Sequence, residues 1–193
     1  MQINPDTAQD TPNPEAPLRA PVAPSWHFMM AHPAHVMAMG FGSGLSPKAP
    51  GTAGTLWAWL TFALLYHRLT DAQWGVLIGV SILVGWWACT LTARNMRVMD
   101  PGSIVWDEIV AFWLVLWLAS PMGWWAQVAA FALFRFFDAV KPGPVAWADQ
   151  LFHDVDPRTD PGAWRKAGWG IMLDDLVAAF CALLVIALWR VFI

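Results

Sequence analysis

The chain has 193 residues, enough for one domain, and a net charge of −3. Hydrophobic residues make up 58% and charged residues 13%, a balance too apolar for an ordinary soluble domain. No basic cluster is dense enough for a nucleic-acid partner, so that class is excluded.

Residues 1–24, "MQINPDTAQDTPNPEAPLRAPVAP", read as a disordered, Pro-rich tail. They lack the basic start and apolar core of a signal peptide. Next, "WHFMMAHPAHVMAMG" reads as an interfacial segment whose helix is limited by Pro33. Five apolar runs follow, each a candidate membrane helix: Gly54–Leu69, Gln73–Ala93, Ile104–Ser120, Gly123–Val140 and Gly168–Ile193. The first is short of the roughly 20 residues a full span needs. The expected fold is all-α: an integral membrane bundle of about five transmembrane helices, with residues 25–193 forming one membrane-embedded domain. Fifteen tryptophans suit this, because indole favours the membrane–water interface. Cys89 and Cys181 lie in apolar runs with no metal-ligand spacing and read as small buried side chains.

Basic residues orient the bundle. With five spans, one side holds Arg19, Lys48, Arg94, Arg97, Lys141, Arg158, Arg165 and Lys166, and the other holds Arg68 and Arg190. This imbalance puts the amino terminus in the cytoplasm and the carboxyl terminus outside. "SPKAPGTAGT", "DPGSIVWDE", "FRFFDAVKPGP" and "GWGIMLDD" then all fall at the cytoplasmic face.

Asp107, Glu108, Asp138, Asp174 and Asp175 sit within or at the mouths of the apolar runs. An ionised carboxylate there costs about 2.5–3.5 kcal/mol on insertion scales. Arg135 and Lys141 offset part of this, since Arg135 and Asp138 are three apart on one helix. The acids still outnumber the nearby bases, and a divalent cation such as Mg²⁺, which takes oxygen ligands and substrate phosphate, resolves the imbalance. Adjacent helical residues point about 100° apart, so one member of each pair is expected to face the metal. An ion relay in a transporter or channel subunit is the competing use of such acids, and a scaffold with purely structural ion pairs is a third. Five spans without a clear internal repeat argue against common transporter plans.

In "APGTAGT", Gly51 permits close backbone approach, and Thr52 and Thr55 can cap the coming helix or donate hydrogen bonds. A helix start suits a phosphate, although the stretch lacks the Gly-Lys-Ser/Thr ending of a Walker loop. Lys48, Arg135 and Lys141 can neutralise phosphate charge, and juxtamembrane bases also meet lipid headgroups. His27, His32, His35 and His67 form no triad or metal pattern, whereas His153 falls in the last long loop and can serve as an acid or base. "DVDPR" looks like a polar loop: Arg158 replaces the residue an aspartyl-nucleophile motif needs there.

Together "GFGSGLSPKAPGTAGTL", "DPGSIVWDE", "FRFFDAVKPGPV" and "GWGIMLDDLVA" resemble the phosphatidylglycerophosphatase A family, from about Trp26 to the end and in the family's order. The resemblance implies a multi-pass enzyme of the bacterial inner membrane that hydrolyses phosphatidylglycerol phosphate to phosphatidylglycerol and phosphate with Mg²⁺. It also implies functional roles for Asp100, Asp107, Glu108, Asp138, Asp174 and Asp175. Its mechanism is expected to use a metal-bound water, with Asp107, Glu108, Asp174 or Asp175 accepting the proton; an aspartyl-phosphate intermediate is the alternative. Two departures stand out: the loop at 148–167 is longer than the family's, through "DVDPRTDPGAW", and Ala178-Ala179 stands where the family has Ala-Gly. Neither removes a proposed ligand, and oligomeric state is left open.

Overall fold

The computed structural model describes residues 20–152 and 155–192. Among them every regular element is helical. Two short helices, α1 (Trp26–Met30) and α2 (Pro33–Ala38), precede a 3₁₀ segment at Gly40–Leu45. Then come α3 (Pro50–Leu65), α4 (Asp71–Met96), α5 (Trp106–Ala119), α6 (Trp124–Val140), α7 (Pro144–Gln150) and α8 (Ala163–Phe192). Each expected apolar run is therefore a helix. Two, α4 and α8, are long and apolar enough to cross a membrane by length and composition. They support membrane association.

α5 is the centre of the bundle. Its sequence "WDEIVAFWLVLWLA" is apolar all round, the pattern of a helix without a solvent face. Accordingly α3, α4, α6 and α8 all pack against it. Phe112 stacks on Phe134 of α6 with ring centroids 5.6 Å apart. Trp113 donates its indole N–H to the Ala58 carbonyl of α3 at 3.0 Å, and Trp106 donates to the Ser81 carbonyl of α4 at 3.1 Å. These two buried indoles thus keep their N–H groups satisfied while filling the core.

α4 opens with a capping box in which Gln73 N–H donates to Thr70 Oγ1 and the Thr70 N–H donates to Gln73 Oε1 at 2.9 Å. It ends where Arg97 turns left-handed, at φ 60°. α8 begins at Ala163, earlier than the apolar run suggested, so Asp174 and Asp175 lie well inside it. Gly168 makes the α4–α8 crossing possible, because a Cβ there would collide with the Thr90 side chain.

The α1–α2 pair covers one end of α4 and α5. The Val105 N–H donates to the Ala38 carbonyl at 2.9 Å, and Asn95 of α4 meets His35 at 2.9 Å. Residues 20–24 lie across the same end: the Val22 N–H donates to the Met96 carbonyl, and Arg97 donates to the Ala20 carbonyl. The earlier part of the expected tail, with Arg19, lies outside the described residues. Large apolar side chains such as Leu60, Val76, Leu83, Phe180 and Leu184 face outward along α3, α4 and α8. Exposure on that scale is what a lipid-facing surface requires.

Candidate active site

The start of α5, the end of α6 and the middle of α8 meet at one end of the bundle. Asp107 and Glu108 occupy the first turn of α5. Asp107, Glu108 and Asp175 each aim one carboxylate oxygen at a common point, with all three atoms within 4.8 Å of one another. Both acids of the first pair join this trio. The expectation that one of them turns away is corrected: side-chain rotation overcomes the 100° offset of the backbone positions. In the second pair the two acids have different partners. Asp175 joins the trio, and Asp174 accepts a hydrogen bond from Lys141 Nζ at 2.6 Å and another from the Asp175 N–H at 3.1 Å.

Each member of the trio also leaves one buried oxygen without a hydrogen-bond partner: Asp107 Oδ1, Glu108 Oε2 and Asp175 Oδ2. Buried carboxylates carry a desolvation penalty of several kcal/mol each unless paired or metal-bound. Convergence and the missing partners together fit a hard divalent cation, whose shell is made of oxygen.

Bases and a helix start surround the trio. Arg135 of α6 forms a close ion pair with Asp138 and lies 3.6 Å from Glu108. Asp138 also meets Asp175. α3 begins beside Glu108, and a Cβ on Gly51 would strike Glu108 Oε1. Ala49, at the N-cap of α3, supplies no side-chain cap, and Pro50 follows at the first helical position. Neither Thr52 nor Thr55 caps this helix. Both lie within it, and the buried Thr55 hydroxyl donates to the Gly51 carbonyl at 2.9 Å. The first-turn N–H groups therefore have no side-chain cap, and a helix start beside the acids suits an anion. Lys48 is exposed just before the helix.

Lys141 has a different setting from that of an open phosphate ligand. It stands at the left-handed C-cap of α6, φ 48°, and bridges Asp149 of α7 and Asp174 of α8. Burial alone would lower its pKa, but hydrogen bonds and charge attraction from the two carboxylates outweigh this and raise it above the ordinary lysine value. Asp149 is the site residue that sequence reasoning missed. Its signal was faint, an acid on the seven-residue helix "PVAWADQ" directly after "KPG". Asp100 lines a cavity of about 250 Å³ with Met99, Asp149, Phe152, Ile171 and Asp174, one turn of α8 from the trio. His153 lies outside the described residues. Ala178 and Ala179 are both buried in the α8 core, so the departure there is one of packing.

Comparison with known proteins gives this arrangement a context. The model of the phosphatidylglycerophosphatase A family matches residues 36–190. Phosphatidylglycerophosphatase A of Escherichia coli strain K12 is 41% identical over 150 residues, covering 77% of this chain and 78% of that protein. The Haemophilus influenzae protein of the same name is 38% identical over 157 residues, 81% of this chain and 88% of its own. A Bacteroides thetaiotaomicron protein provisionally named a phosphatidylinositol-3-phosphatase is 37% identical over 158 residues, 78% of this chain and 89% of its own. No solved structure matches. The family match spans every helix that carries the trio and its bases, and the chain belongs to the phosphatidylglycerophosphatase A family.

Proposed function

We propose that this protein removes the terminal phosphate of phosphatidylglycerol phosphate, releasing phosphatidylglycerol and inorganic phosphate. The observation that carries this reading is the trio of buried, partnerless carboxylate oxygens on Asp107, Glu108 and Asp175. Membership of the family supplies the substrate class, a phospholipid bearing a phosphomonoester. The names of the relatives share one more feature, a hydroxylated headgroup, glycerol in two and inositol in the third.

The trio would hold Mg²⁺. A divalent cation there offsets the charge of acids and phosphate together and makes a nearby water easier to deprotonate. The chain's own groups do the rest. Arg135 and the first-turn N–H groups of α3, Gly51 and Thr52 among them, hold the non-bridging phosphate oxygens. Exposed Lys48 draws the anionic headgroup toward that helix start. Asp138 fixes Arg135, and Lys141 fixes Asp174, which in turn accepts the Asp175 N–H and steadies the trio. A water attacks phosphorus and gives its proton to a trio carboxylate, the ester bond to glycerol breaks, and the carboxylate passes that proton to the departing alkoxide. Asp174 has hydrogen-bond partners on both oxygens and acts by positioning.

The same reading places the protein in the bacterial inner membrane with five spans and the site at the cytoplasmic face, supported by the charge bias and by the lipid-like exterior of α3, α4 and α8. Phosphate release by the purified protein, in mixed micelles with and without Mg²⁺, tests the function. Release that requires the metal and stops on chelation is expected. No release with active lipid and metal present would return the acids to an ion-coupled transporter.

A further inference from the structure

We propose that Arg190 and the two apolar grooves flanking it bind one diacyl anionic phospholipid, with its phosphate on the guanidinium and an acyl chain in each groove. The site lies at the end of α8 away from the trio, roughly 22 Å along the helix from Asp175. The inference rests on the membrane reading of α8 and goes beyond the phosphatase activity.

Ile186 and Arg190 stand one turn apart on α8 and form a ridge. Both residues line a groove on each side of it. On the α6 side the groove is about 540 Å³, with Ala126, Ala129 and Leu133 facing Val185 and Trp189. On the α5 side it is about 500 Å³, with Leu118 and Ala119 facing Phe180, Leu183 and Ala187. The alanines leave both troughs open beside the ridge. Arg190 is the charged residue that lines either groove, and no acid does so. A cation at the head of two apolar troughs complements a lipid with two chains and one anionic headgroup.

The setting of Arg190 favours an anion further. It is exposed, and among the described residues its partner is the neutral Ala119 carbonyl at the end of α5. That bond holds the guanidinium over the junction of the two grooves and leaves its charge unbalanced. Its other N–H donors suit phosphate oxygens, which arginine holds through paired hydrogen bonds. Depth points to the same occupant. Phe180 to Arg190 is roughly 15 Å of α8, about one leaflet of a hydrocarbon core of roughly 30 Å. A second copy of this chain is the poorer occupant, because two-fold docking through this face turns like charges toward each other.

The experiment places the purified protein in phosphatidylcholine vesicles containing a little phosphatidylglycerol with a photoreactive acyl chain. Labelling mapped by peptide mass spectrometry should concentrate in residues 118–133 and 180–190. Phosphatidylcholine with the same reactive chain should label these segments several-fold less. Arg190→Gln should erase that preference. Ala129→Phe, a change at an exposed position, should lower labelling on the α6 side and spare the α5 side. Equal labelling by the two lipids, or a preference that survives Arg190→Gln, overturns the site. Disulfide-linked dimers of Ala129→Cys that exclude the lipid would give the groove to a second copy instead. Recovery of the protein in the soluble fraction without detergent would remove the membrane reading, and this inference with it.

Discussion

Asp107 and Asp175 come from helices distant in sequence and reach one point, so each is tested by removing charge and keeping shape. Asp107→Asn and Asp175→Asn are expected to lower phosphate release by at least 10³-fold, the scale on which essential groups act in enzymes. Both variants should keep wild-type helicity in detergent, since neither loses a hydrogen bond from the unpartnered oxygen. Activity near wild type in either would remove that residue from the site. Gly51 makes a sharper case, because it touches no substrate by a side chain. A Cβ there collides with Glu108 Oε1 and comes within 3.1 Å of Arg135 Nη1, so Gly51→Ala must displace Glu108 from the trio. We expect at least a tenfold loss of activity and a higher Mg²⁺ requirement, with a stability change within about 1–3 kcal/mol. An unchanged metal requirement would show that Glu108 moves without consequence. These residues were legible beforehand because acids in apolar runs are costly, and cost implies use. Asp149 was not, since its value comes from Lys141, eight residues away, being turned back by a left-handed cap. The fate of the pairs was equally closed to the sequence, because side-chain rotation, and not helical period, decides which oxygens converge.

At the scale of elements, hydropathy identified all five long helices, and its errors have local causes. α8 starts before its apolar run because "AWRKAGWG" continues the helix on α7 and α4 packing despite its charges and glycines. α7 was missed because seven residues give too little periodicity to register. The α1–α2 pair shows how an element can carry a pH dependence. His35 Nδ1–H donates to the Phe28 carbonyl at 3.0 Å while Nε2 accepts from the Asn95 amide at 2.9 Å, so the ring is neutral. Burial lowers its pKa, the Phe28 carbonyl opposes this in part, and nearby His32 lowers it further. Because the folded pKa lies below the unfolded value of about 6.5, its contribution is complete above that pH and is lost as pH falls through the folded value. Protonation would set an N–H against the Asn95 amide and detach α2 from α4. Amide exchange in residues 26–38, corrected for intrinsic rate, should therefore quicken as pH drops below about 6.5, and His35→Phe should abolish that dependence. Protection that stays level to pH 5 in wild type would exclude the effect.

Taken whole, the molecule separates its charges by end. At the trio's end of the bundle, by their place at the element ends, lie Lys48, Arg94, Arg97, Arg135, Lys141, Arg165 and Lys166. At the far end stand Arg68, after α3, and Arg190, which donates to the Ala119 carbonyl at the end of α5. The long helices alternate in direction, so one end collects the starts of α3, α5 and α8 with the ends of α4 and α6. α3, α5 and α6 have 16, 14 and 17 residues, about 24, 21 and 26 Å of helix, each short of a hydrocarbon core of roughly 30 Å. In the proposed five-span arrangement, such short helices would set the site into a recess at the membrane face, where a lipid headgroup could enter while its chains remain in the bilayer. The positive end should then be cytoplasmic, because retention of Lys and Arg governs insertion. Alkaline phosphatase fused after residue 193 should be active, and a fluorescent protein fused there dark. Fused before residue 1, the fluorescent protein should be bright. The reverse pattern would put the site on the outer face and require its phospholipid to be met there. Moving the bias tests the cause: replacing Arg94, Arg97, Arg165 and Lys166 by Gln while adding lysines beside Arg68 should give a mixed orientation. An unmoved orientation would mean that α4 and α8 insert by a signal other than flanking charge.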